Sequence, residues 1–210
     1  MPKREAPIHS LQQFLPDQTY EPVIEYLHRY QVHLTIARER KSILGDYRHR
    51  THRDNHRISV NGNLNPFAFL ITLLHELAHL LTYEQFGNKV LSHGQEWKRI
   101  YGQLLDQFLK TRVFPEDIHN TLLKSLHNPA ASSCAEDDLL RVLRRYDTKK
   151  NGDLMVEELP MHALFSTEDN RVFRRGEKLR KRYKCIEVRT GRVFLFSPVY
   201  EVTPVSGESN

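Results

Sequence analysis

The chain has 210 residues, 39% hydrophobic and 27% charged, with a formal charge of +5, a composition that fits a soluble globular domain with room for a small appendage. Two cysteines far apart in the sequence, Cys134 and Cys185, argue against a disulfide scaffold and exclude a cysteine-only zinc knuckle. No run reaches the roughly 18 apolar residues of a membrane span, and "MPKREAPIHS" lacks the apolar core of a secretory signal, so the expectation is a cytoplasmic protein with no membrane partner.

Taken in chain order, "DQTYEPVIEYLHRY" spaces Tyr20, Val23, Ile24, Leu27 and Tyr30 by three and four, which predicts an amphipathic helix. "VHLTIARE" alternates, with Val32, Leu34 and Ile36 on one face, and predicts a strand. "KSILGDYRH" and "HRISVNGN" add two short strands, completing a small antiparallel sheet. The next helix is strongly signalled, with Asn65 as its cap, Pro66 in its first turn and Gly87 at its end. Another begins near Gln95 and carries Trp97, Ile100, Tyr101, Leu104, Leu105 and Phe108. Weaker helical patterns follow at 116–127 and 137–146, separated by the loop-like "HNPAASSC". From about Leu154 the pattern changes to short alternating runs, "LFSTEDNRVF", "RYKCIEVRT" and "RVFLFSPVYEV", which predict a small β subdomain. The expected organisation is a core at 10–128, a helical connector at 129–153, a β-rich subdomain at 154–205 and a disordered tail at 206–210.

The chemistry concentrates in "LITLLHELAHLLTYEQFGNKVLSHGQEWKRI", Leu70 to Ile100. His75 and His79 stand four apart on one helix, so their rings leave the same face a turn apart, a spacing that lets two imidazole nitrogens bind one ion. Glu76 points slightly aside, too far round to be the obvious ligand and close enough to take a proton from a water beside the ion. Unpartnered histidines and a glutamate buried in the most apolar stretch of the chain would each cost several kcal/mol, which favours a metal over a chance arrangement. Tetrahedral zinc needs a third protein ligand. His93, fourteen residues after His79 and beside Gly94, is the best candidate, with Glu96 and His119 as fallbacks. Trp97 is expected to anchor the second helix in the core, and Tyr47 and Tyr83 are candidate hydrogen-bond donors to a developing oxyanion.

"LLHELAHLL" and "HGQEWKRI", preceded by "LGDY" and "ISVNGNL", resemble the SprT-like family of zincin-type metalloproteins over roughly residues 15 to 110. The resemblance implies an α+β fold: a helix, a three-stranded antiparallel sheet, a metal-binding helix and further helices, followed here by the C-terminal β subdomain. It implies zinc held by His75, His79 and His93, Glu76 as catalytic base, and hydrolysis of peptide bonds in protein substrates, including proteins associated with DNA. Many members carry a zinc ribbon of paired cysteines after this core, which this chain cannot build. A different class of function, a DNA-associated binding module with a structural or vestigial zinc site, is disfavoured by the intact Glu76.

Three further stretches have rival readings. "DTKKNGDLMVEE", Asp147 to Glu158, resembles a calcium loop, yet Lys149 stands where an oxygen ligand is needed, and a polar turn on Asn151-Gly152 explains the same letters. "RVFRRGEKLRKRYK", Arg171 to Lys184, has eight Lys or Arg against one Glu. It reads either as a solvated hairpin or as a basic face with aromatic neighbours, on which Arg174, Arg175, Arg180 and Arg182 would grip phosphates. "RHRTHRDNHR", residues 48 to 57, reads as an exposed loop whose His49, His52 and His56 could at most form an adventitious metal site. The following segment, "HRISVNGN", is expected from the zincin analogy to pair with an extended substrate.

Overall fold

The computed structural model describes residues 8–40, 43–126, 129–130, 134, 136–147 and 154–205. The chain divides into two units at Asp147/Thr148. The first holds α1 (Tyr20–Arg29), β1 (His33–Ala37), β2 (Gly45–Arg48), β3 (Arg57–Asn61), α2 (Pro66–Phe86), α3 (Gln95–Lys110), α4 (Glu116–Ser125) and α5 (Asp137–Leu143).

Asn65 starts α2 as its sequence predicts: the side-chain oxygen accepts from the Ala68 amide at 2.9 Å while Pro66 occupies the first turn, where an N–H has no helical partner. Gly87 ends the helix at φ +58°, a conformation that favours glycine, with its N–H on the Tyr83 carbonyl at 2.7 Å. Between those ends the residues Ala68 to Ala78 are buried without a break. A helix apolar all round belongs inside the fold. By length and composition alone α2 could cross a membrane, but 72% of its most apolar window is buried in this unit. By contrast, α1 and α3 each bury one stripe, the latter Trp97, Ile100, Tyr101, Leu104, Leu105 and Phe108. Full burial of large apolar side chains such as Phe69, Leu73 and Phe108 contributes about 1.5–3 kcal/mol each. Leu139 and Leu143 of α5 join this same core, and the Asn65 amide ties the end of that helix down by donating to the Leu143 carbonyl at 2.9 Å.

The three-stranded sheet differs from the expected antiparallel one. Its order is β1-β3-β2, with β1 parallel to β3 and β2 antiparallel to it. β3 takes the centre because it is the most deeply buried of the three, with Ile58 at 1% exposure and Val60 at 0%. β2 runs back along the far side, so β1 and β3 point the same way. One face of the sheet aligns Leu34, Ile58 and Tyr47 in one row and Ile36, Val60 and Gly45 in the next.

The second unit contains β4 (Leu154–Met155), β5 (Leu164–Ser166), β6 (Val172–Lys178), β7 (Tyr183–Glu187), β8 (Val193–Phe196) and β9 (Glu201–Pro204). They form a six-stranded antiparallel sheet in the order β4-β9-β5-β6-β7-β8. Its own core gathers Val156, Leu159, Phe165, Phe173, Tyr183, Cys185 and Val202. The α+β class and the C-terminal β subdomain therefore stand, and the two cysteines lie in different units, both free.

Candidate metal centre

His75 and His79 leave the same face of α2, and their Nε2 atoms lie 3.3 Å apart. Two nitrogens bound to one tetrahedral zinc at 2.0–2.1 Å would be separated by about 3.3–3.4 Å. His93 closes the set from the turn before α3, its ring centroid 5.5 Å from His75 and 4.7 Å from His79. One nitrogen from each of the three rings lies within 4.8 Å of the other two, and no other such group of histidine, cysteine and carboxylate side chains occurs among the described residues. Glu96 and His119 stay outside it, and His49, His52 and His56 form no cluster of their own.

The donor set fits a divalent ion chemically as well as geometrically. Nε2 of His93 is buried without a hydrogen-bond partner among the described residues, an orphan that a metal bond would satisfy. Burial, reinforced by the neighbouring His79 and His93 rings, pushes His75 down to about 3. Burial and His93 push His79 down to about 4. Burial, helped by Lys98, also lowers His93. All three are thus neutral imidazoles at physiological pH, the form that ligates.

Glu76 is 5% exposed and projects from α2 toward β2. Burial first, then the nearby Asp46 carboxylate, raises its pKa to about 8, with Arg40 opposing. Gly45 makes this approach sterically feasible: a Cβ there would stand 2.5 Å from Glu76 Oε1 and 2.8 Å from Thr72 Cγ2. Sequence reasoning passed over this glycine, although "LGDY" contained it.

Trp97 does more than anchor α3. It is fully buried, and its ring lies 4.8 Å from His75, 5.2 Å from His79 and 4.7 Å from His93, forming one wall against all three imidazoles. Its position four residues after His93, one turn into α3, was a readable signal. Tyr101 adds a second ring against His75 at 5.4 Å.

The profile of the SprT-like family matches residues 12–119, just over half of the chain. The chain belongs to the SprT-like family. No curated protein and no solved structure matches it. The family is of a zinc-metalloprotease-like kind, and the three-histidine group that could hold a metal ion lies inside the matched segment.

Other expectations fare differently. β3 cannot pair with a substrate strand, because both its edges are taken by β1 and β2; β2 ends the sheet. The Tyr47 hydroxyl lies 2.9 Å from His56 Nδ1, and Tyr83 stacks on His49 at 4.5 Å. Residues 148–153 of the calcium-like stretch, with Lys149, Asn151 and Gly152, lie outside the described residues, as does the tail at 206–210. The two ends of that stretch are engaged: Asp147 accepts from the Asn65 amide at 2.7 Å, and Glu158 accepts from the Met155 N–H at 2.6 Å. In the basic hairpin the aromatic neighbours face inward, with Phe173 at 1% and Tyr183 at 6% exposure, so they offer no stacking platform. Arg175 lies over the Tyr183 ring at 4.4 Å, whereas Arg174, Arg180 and Arg182 are exposed.

Proposed function

We propose that this chain is a zinc-dependent peptidase that hydrolyses peptide bonds in protein substrates. The observation that carries this reading is the convergence of three neutral imidazoles with a buried carboxylate one residue along the same helix. His75, His79 and His93 would hold the ion. When bound, zinc acidifies water and polarises a carbonyl oxygen. Glu76 would accept the water's proton as a carboxylate, the form that a neighbouring cation favours against the burial that raises its pKa to about 8 in the metal-free chain, and would pass that proton to the leaving amine. A closed structural site has no use for such a base, and this weighs against the binding-module alternative.

Substrate would be held in extended form along β2, one of the two edge strands of the sheet and the one whose Gly45 lies against Glu76. Backbone pairing at a strand edge selects for an unfolded or extended segment rather than for particular side chains. Association with nucleic acid, if it contributes, would run through the exposed Arg174, Arg180 and Arg182 rather than through base stacking.

The test is cleavage of an unfolded protein substrate by wild type and Glu76→Gln, with zinc content measured in both and duplex DNA present or absent. Glu76→Gln should retain one zinc per chain and lose about 10²–10⁴-fold in rate. Equal cleavage by the two proteins would refute the assignment.

A further inference from the structure

Metal-binding histidines are usually oriented by a hydrogen bond from the second ring nitrogen to a carboxylate or carbonyl. His75 lacks this support among the described residues, where its buried Nδ1 has no hydrogen-bond partner. Aromatic rings pack against all three imidazoles: Trp97 and Tyr101 against His75, Trp97 against His93, and Trp97 with Tyr47 against His79. Tyr47 is the member of this set whose hydroxyl is fastened to a buried partner.

Its ring lies parallel to His79, at 6° and 6.4 Å between centroids, and nearly parallel to His56, at 19° and 5.8 Å. The hydroxyl is 2.9 Å from His56 Nδ1, and the Arg50 backbone N–H donates to the same nitrogen at 3.3 Å. An amide N–H can only donate, so Nδ1 is the unprotonated nitrogen, the phenol donates to it, and Nε2 carries the proton. That Nε2 faces Glu84 Oε1 at 3.3 Å, within ion-pair distance but outside hydrogen-bond alignment. The Arg50 guanidinium reaches the same oxygen at 3.1 Å. His56 is only 2% exposed. The chain of contacts therefore leaves α2 at His79, crosses to β2 through Tyr47, passes to His56 and returns to α2 at Glu84.

We propose that Tyr47 is a positioning residue for the ligand His79, and that His56 and Glu84 hold the Tyr47 phenol in register for that task. The proposal rests on the metal-centre reading above and concerns how that centre is kept rigid.

Zinc affinity of the full chain, measured by competition with a chromophoric chelator, tests it together with the visible absorption of the cobalt(II) form. Neither readout depends on peptidase activity. Tyr47→Leu and His56→Leu should each weaken zinc binding about 10–100-fold and alter the cobalt bands. His56→Asn, whose side-chain oxygen can replace Nδ1 as acceptor, should stay near wild type. Tyr47→Phe keeps the ring and loses the anchor, so it should fall between Tyr47→Leu and wild type, and it decides the matter if the leucine variants do not fold. Wild-type affinity and unchanged cobalt bands in Tyr47→Phe and in any folded Tyr47→Leu, whatever their melting temperatures, would reduce Tyr47 to ordinary packing and overturn the proposal. Failure of the metal reading looks different: zinc would then bind His79→Ala as tightly as wild type, or not bind wild type at all.

Discussion

Burial acts in opposite directions on the two kinds of titratable side chain in this centre, and the metal-free protein should register both. His75 and His79 are pushed from the ordinary 6.5 down to about 3 and about 4. Between those limits the unfolded chain binds protons that the folded chain refuses. Their contribution to stability is therefore complete above pH 6.5 and lost as pH falls. Glu76, raised from 4.5 to about 8, has the reverse sign: its contribution is complete below 4.5 and lost as pH rises through 8. Two histidines outweigh one glutamate between 4.5 and 6.5, and the glutamate acts alone above that. The urea midpoint of chelator-treated protein should thus peak near pH 6.5 as far as this cluster governs it. Glu76→Gln should flatten the alkaline limb relative to wild type. Identical limbs in the two proteins would mean that Glu76 is not held protonated by the fold.

A strand and a helix meet at closest range where Gly45 of β2 adjoins Glu76 and Thr72 of α2. Any Cβ at this point must move the carboxylate, the strand or both. Gly45→Ala should therefore keep its zinc, because no ligand is touched, while cleavage falls by about 10²-fold, the scale of a misplacement near 1 Å. Zinc content and turnover measured on the same preparation separate the two effects, and undiminished turnover would show that the approach is not needed. The strand edge matters for the same reason. β2 stands at an edge because β3, with Ile58 and Val60 buried, occupies the middle of the sheet, and substrate pairing along β2 is the arrangement proposed above.

The two units have separate hydrophobic cores, and every residue assigned to the metal centre lies in the first. A domain that owns its core can fold alone. Residues 1–147 expressed by themselves should show a cooperative melt and bind one zinc with the affinity of the full chain. A fragment that aggregates or binds zinc much more weakly would show that the β subdomain completes the first unit. Arg174, Arg180 and Arg182 belong to that β subdomain, so a loss confined to DNA-stimulated cleavage in the fragment is the pattern expected if they grip phosphates.

What the sequence determined by itself was local. Histidines four apart share a helix face because the turn has 3.6 residues, Asn65-Pro66 opens a helix through its own hydrogen-bonding chemistry, and the spacing from His79 to His93 was legible as a motif. Alternation in "VHLTIARE" or "HRISVNGN" reports which side of a strand is buried but not which strand lies beside it, so the parallel pairing of β1 with β3 and the edge position of β2 escaped the sequence. The same limit hid the inward turn of the hairpin aromatics, the burial of His56 in a loop that reads as solvated, and the contact of Gly45 with Glu76. Each depends on residues far apart in the chain being brought together, and that is decided by which apolar surfaces find one another when the core closes.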